Sequence, residues 1–214
     1  MPTSNLSQIN DIMQLIIFTN PRKILDIGVG FGKYGFLSRE YLELWDGREK
    51  YDEWNRRIDG IEVFGEYITP VHDFIYNKTY IGNAIDILPT IDEKYDLILL
   101  IDVFEHFDYD SGLKLLKECE KHGKNILISV PKNMTHQEAA FGNPYEAHKC
   151  QWKKNHFIRY ANKFFFPNMV SLIIYIGEDS QDVLRKAKKY YGKLIVARKA
   201  AYHLKDTVKR LLKK

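Results

Sequence analysis

Two stretches of this chain concentrate side chains that can move a proton or hold a ligand. The first is Asp102-Val103-Phe104-Glu105-His106, and the second runs from Asn143 to Phe157 with Tyr145, His148, Trp152 and His156. Histidine has a near-neutral intrinsic pKa and can take the proton of a hydroxyl. His106 and His148 are therefore candidate bases, and Glu105 can orient His106. His148 and Trp152 are four residues apart and would share a face if their segment were helical. With His106 they would make an acceptor pocket of two imidazoles and an indole, with Tyr145 as a further wall. The alternative for Trp152 and Tyr145 is ordinary core. Glu105, His106 and His148, with or without Asp102, are also chemically possible ligands for a divalent ion. The reading taken from the sequence is that no metal is held.

A third group surrounds glycines. Asp26 precedes Gly28-Val29-Gly30-Phe31-Gly32, Glu62 follows an apolar run, and Gly82-Asn83-Ala84 follows another. Glycine serves where the chain turns sharply or a ligand must touch backbone. The dinucleotide pattern G-x-G-x-x-G is not matched at Gly32, and a phosphate-binding G-x-x-x-x-G-K-[ST] loop is absent. Asp26 would repel a pyrophosphate, which disfavours a nicotinamide-dependent oxidoreductase. It would suit a ligand carrying an ammonium or a sulfonium. Glu62 can accept hydrogen bonds from ribose hydroxyls.

These groups need a frame that gathers strand ends. Ile24–Ile27 reads as a buried strand entering the glycines, and Lys33–Leu44 as a helix leaving them. Residues 58–63, a run beginning at Tyr80, and residues 95–101, 125–130, 170–176 and 193–197 complete seven strand candidates. A helix over about 5–19 precedes them. Asp108 can cap a helix reaching about Lys121, and Asp179–Tyr190 reads as another. Residues 132–168 lack a regular period and form a long active-site segment. The pattern predicts one α/β domain over 1–214, a doubly wound, mostly parallel seven-stranded sheet with helices on both faces.

Charge adds little to function. Residues 195–214 hold seven basic side chains and one acid, so this tail carries +6 and the rest of the chain −2, giving the net charge of +4. Leu204, Val208, Leu211 and Leu212 give the tail a helical period over about 200–214. It is expected to dock or be solvated, with weak peripheral membrane contact as an alternative. A globally basic nucleic-acid surface is not indicated. Two isolated cysteines, the lack of a cationic leader and the lack of any apolar run of spanning length lead to the expectation of a cytoplasmic protein.

Taken together, the motifs resemble those of the class I S-adenosylmethionine-dependent methyltransferases. ILDIGVGFGKYG (24–35) is similar to that superfamily's first motif, GIEV (60–63) to its second and GNAIDILP (82–89) to its third. The third motif carries Asn83 where an acid is usual. YDLILLIDVFEHF (95–107) and NILISVPKN (125–133) are similar to the fourth and fifth. The resemblance implies a Rossmann-like fold and S-adenosyl-L-methionine as cofactor. It implies that Asp26 and the backbone of Gly28, Gly30 and Gly32 hold the methionine moiety. Glu62 would take the ribose, Val63 would pack on adenine, and Asn83 and Ala84 would meet its polar edge. Asp102 and Val103 would line the methyl-donor side. The D-V-x-E-H form looks like that of enzymes acting on quinone precursors, so O-methylation of a small or medium acceptor is expected. The small-RNA 2′-O-methyltransferases begin their metal motif with Glu where this chain has Asp102, which leaves a metal-dependent RNA enzyme as an alternative. Asn143-Pro144-Tyr145 lacks the second proline and the position of the DNA amino-methyltransferase motif. A non-catalytic cofactor-binding protein is the remaining alternative.

Overall fold

A computed structural model describes residues 4–44 and 53–193. Helix α1 (Leu6–Thr19) leads in. It is capped by Asn5, whose side chain accepts from the Ser7 amide at 3.0 Å, and is closed by Asn20 in the left-handed region before Pro21. The strands are β1 (Lys23–Ile27), β2 (Arg57–Glu62), β3 (Lys78–Ile81), β4 (Leu97–Ile101), β5 (Asn125–Pro131), β6 (Lys163–Phe166) and β7 (Ser171–Gly177). Between them lie α2 (Lys33–Glu43), α3 (Pro70–Ile75), α4 (Ala84–Ile87) and α5 (Tyr109–His122). Residues 180–193 are helical and form α6.

The strands pair in the order β3-β2-β1-β4-β5-β7-β6. All run parallel except β7, which is antiparallel to both β5 and β6. The apolar run Leu97–Ile101 is buried throughout because successive side chains point to opposite faces and both faces are covered. Ile98 and Leu100 join a core with Leu25, Leu115, Ile126, Trp152 and Ile174. Leu97 and Leu99 join the opposite core with Ile12, Ile24, Tyr76, Ile173 and Val183. The chain order reverses between β1 and β4, which opens a crevice at the carboxyl ends of the strands.

The expected sheet is present, and the sixth strand is a correction. Lys163–Phe166, inside the segment expected to lack regular structure, pairs with β7 through Phe164↔Tyr175 and Phe165↔Ile174, and Phe164 is buried in the core. This four-residue edge strand exists through its ladder to β7, a contact without a local signature. The expected strand over 193–197 and the basic helix over 200–214 lie outside the described residues, as does most of the 45–57 connection. Among the described residues no helix is long and apolar enough to cross a membrane.

Trp152 is 2% exposed and lies 4.2 Å, centroid to centroid, from the ring of Phe104. Its indole N–H donates to the Phe104 carbonyl at 2.9 Å. The sequence reading made it a wall of the acceptor pocket; it is instead core and does not line the cavity described below. Truncation to alanine is expected to cost about 3–5 kcal/mol of folding stability in urea unfolding, as for other large buried aromatics.

Candidate active site

The crevice between β1 and β4 holds a cavity of about 220 Å³. Its walls include Gly28–Phe31, Glu62, Val63, Gly82–Ile85, Asp102, Val103 and His106. The glycine loop forms the floor. Gly28, Gly30 and Gly32 all have positive φ, between 53° and 77°, a region that side-chain-bearing residues seldom occupy. At Gly28 a Cβ would lie 2.3 Å from Cγ2 of Val103, so the loop presses directly on the end of β4.

Glu62 ends β2 and is 4% exposed. Its Oε2 accepts from the Gly30 amide at 3.1 Å and its Oε1 from the Phe64 amide at 3.0 Å. Burial raises its pKa, and these amides oppose the rise. Each oxygen retains lone-pair capacity for a donor in the cavity. The loop is also held from the opposite side by His72 of α3. The Thr69 amide donates to Nδ1 of His72 at 3.0 Å, so Nε2 carries the proton and donates to the Gly30 carbonyl at 2.8 Å. His72 was not foreseen, since a lone histidine in a short helix has no motif.

Asp26 is 3% exposed and does not line the cavity. It accepts from the Tyr76 hydroxyl at 2.7 Å. Gly35 makes this possible, because a Cβ there would lie 2.5 Å from the Tyr76 ring. Burial, opposed by the Tyr76 bond and assisted by the charge of Glu62, pushes Asp26 up to about 7. The sequence reading placed Asp26 against the methionine moiety; the structure places it beneath the loop, between β1 and Tyr76.

Asn83 and Ala84 line the cavity as expected. The Asn83 side chain caps α4 by accepting from the Ile85 amide at 3.0 Å. This is a helix-capping use of its oxygen that a carboxylate would also serve. Asp102 lines the other end with φ +53°. Its Oδ2 accepts from Gln8 of α1, whose Oε1 accepts from the Ser129 hydroxyl. Burial raises Asp102, the Gln8 bond opposes this, and the nearby charge of Lys33 does so more weakly. Gln8, fully buried on α1, escaped sequence reading because it belongs to a helix remote from every motif.

The wall of the crevice beyond β4 is built by residues 132–157 folding over β4 and β5. The Glu105 carbonyl accepts from the amides of Lys149 at 2.8 Å and Cys150 at 3.2 Å. That clamp brings the rings of His106 and His148 to a centroid separation of 5.1 Å. Ligand atoms of Glu105, His106 and His148 all lie within 4.8 Å of one another. His106 and Tyr145 line the cavity, and His148 stands behind His106. Residues 147–153 are not helical, so His148 and Trp152 do not share a face. Burial lowers the pKa of His106, and the Ala147 carbonyl opposes the shift. Burial, with the charge of Asp102, raises Glu105 well above the usual range. The sequence pattern pairs His106 with His148 and lets Glu105 orient His106; the structure brings the three together.

No family model matches the chain, and no curated protein matches it. Solved structures do. A SAM-dependent methyltransferase from Archaeoglobus fulgidus superposes with a TM-score of 0.56 at 15% identity, over 79% of this chain and 94% of that one. The methyltransferase domain of a bacterial Hen1 superposes with a TM-score of 0.55 at 15% identity, over 81% and 100%. A Nostoc punctiforme protein with a provisional O-methyltransferase assignment gives 0.55 at 14% identity, over 80% of this chain; the match spans 57% of that protein. The fold is that of the class I methyltransferases.

The buried acid gives a pH prediction. The unfolded chain releases the Asp26 proton near pH 4, and the folded protein holds it to about pH 7. The folded state thus binds more protons in this window, and stability falls as pH rises through it. Asp26→Asn removes the ionisation. In urea unfolding its stability relative to wild type should increase between about pH 4 and about pH 7, by at most ~4 kcal/mol, and then level off.

Proposed function

We propose that this protein is an S-adenosylmethionine-dependent methyltransferase that methylates an oxygen of a small or medium acceptor. The observation that carries the reading is the carboxylate of Glu62. It faces the same cavity as the left-handed glycine loop and is steadied by two backbone amides. An acceptor-only group there pairs naturally with the two donating hydroxyls of a ribose.

The rest of the lining suits the same cofactor. Val63, Ala84, Ile85 and Phe107 offer an apolar slot for adenine, with Asn83 at its edge. At the other end Lys33 and Asp102 present one charge of each sign, close enough to influence one another. Such a pair fits the carboxylate and ammonium of an amino-acid tail. Gln8 and Ser129 keep Asp102 aimed there.

When bound, the cofactor supplies a methyl group on a good leaving group, so the protein must chiefly align the acceptor and exclude water. Tyr67, Tyr145 and Phe31 border the cavity and would cover an acceptor. Loss of the acceptor's hydroxyl proton falls to the Glu105–His106–His148 cluster. His106 lines the cavity, and burial lowers its pKa and favours the neutral ring.

Titration calorimetry with S-adenosylhomocysteine tests the reading. Saturable binding at one per chain is expected, with no saturable binding of NAD. Glu62→Gln should weaken the dissociation constant by about 10–100-fold, since hydrogen bonds to a charged group are lost. Unaltered affinity in a folded Glu62→Gln variant would remove the basis of the assignment.

A further inference from the structure

Asp26, Glu62, Asp102 and Glu105 stand at the carboxyl ends of the strands, and the first three have clear partners. Asp26 has Tyr76, Glu62 has two backbone amides, and Asp102 has Gln8. Glu105 differs. It is 2% exposed, and its Oε2 has no hydrogen-bond partner among the described residues. A buried carboxylate oxygen left alone is costly and calls for a physical reason.

The two imidazoles beside it supply that reason. Nδ1 of His106 lies 3.2 Å from the Ala147 carbonyl, and Nδ1 of His148 lies 2.8 Å from the Thr135 carbonyl. A carbonyl only accepts, so each Nδ1 donates, and in the neutral ring of that tautomer Nε2 carries the lone pair. Ring nitrogens fixed in this way, with the far N–H tied to a backbone carbonyl, are the usual form of metal-ligating histidine. Glu105, His106 and His148 thus present a carboxylate and two lone-pair nitrogens within 4.8 Å of one another. A single shared proton could bridge only two of the three; a cation can join all of them.

We propose that Glu105, His106 and His148 form a three-ligand site for a divalent first-row transition ion, with its remaining coordination positions open toward the cavity that His106 lines. Two imidazoles with one carboxylate suit such ions better than magnesium or calcium. Asp102 is not a fourth ligand, because Gln8 holds it and the Ser129 hydroxyl stands 3.4 Å from its Oδ1.

The consequence for the acceptor rests on the methyl-transfer reading above. A hydroxyl oxygen bound at an open position acidifies, and its proton passes to solvent. The oxygen then attacks the methyl carbon. The carbon–sulfur bond breaks with its electron pair staying on sulfur, and the sulfonium becomes a neutral thioether. With the ion in place His106 is a ligand and not the base.

The test is titration of chelator-treated full-length protein with Co²⁺ alone, followed by its visible d–d absorption. One equivalent per chain is expected, displaced by Zn²⁺. Glu105→Gln and His148→Ala should each abolish the saturable band. His136→Ala, at a histidine whose side chain is 86% exposed, should leave it intact. S-adenosylhomocysteine binding by each variant confirms folding without depending on the metal. Absence of a saturable band in the wild type, or its survival in either Glu105→Gln or His148→Ala, overturns the site. Failure of the wild type to bind S-adenosylhomocysteine overturns the methyltransferase reading instead, and the metal site is then judged by the Co²⁺ band alone.

Discussion

The glycine loop between β1 and α2 is the constraint on which the site depends. Three residues of positive φ within five positions would leave this turn soft if nothing braced it. Glu62 takes the Gly30 amide from one side and His72 takes the Gly30 carbonyl from the other. The Gly28 amide bonds to the Ile61 carbonyl at 2.8 Å. The loop is thereby fastened to the end of the neighbouring strand, and its exposed amides and the Glu62 carboxylate acquire fixed relative positions. Preorganisation of this kind lowers the ordering cost of binding.

The same region gathers negative charge where desolvation is severe. Each carboxylate needs its own means of remaining buried. Asp26 is held by a tyrosine hydroxyl and stays protonated up to about neutrality. Glu62 is spread over backbone amides. Asp102, in a left-handed backbone conformation that few residues other than glycine, Asn and Asp adopt, is steered by Gln8. Of the four, Glu105 alone leaves a carboxylate oxygen without a partner among the described residues, and this imbalance distinguishes its end of the crevice from the glycine-loop end. The two sides also come from different parts of the chain. The glycine-loop side is built by consecutive strand ends. The Glu105 side requires residues 132–157 to return across β4 and clamp on the Glu105 carbonyl.

Much of this was legible before any coordinates. Asp26-Ile27-Gly28, Glu62 and Asn83-Ala84 each follow an apolar run, and their order along the chain anticipates a parallel sheet whose carboxyl ends meet. Asp108 as a helix cap was likewise readable, and its side chain accepts from the Ser111 amide at 2.9 Å. Other features left no trace in local pattern. Gln8, His72 and Tyr76 act across 94, 42 and 50 residues of sequence. Trp152 carried the signature of a pocket residue and proved to be core, because aromatic residues serve both purposes with the same composition.

Sequence by itself determined the class of the sheet, the location of the crevice and the placing of Glu62, Asn83 and Ala84 on its wall. These depend on short-range patterns: apolar runs ending in glycine or acid, with turns between them. Tertiary structure alone decided which polar groups face the cavity and which face one another. It turned Asp26 away beneath the loop, made β6 an edge strand, and set His148 against His106 and Glu105. Those outcomes depend on side-chain direction and on contacts between distant segments, and one-dimensional spacing constrains neither once the backbone leaves a regular helix or strand.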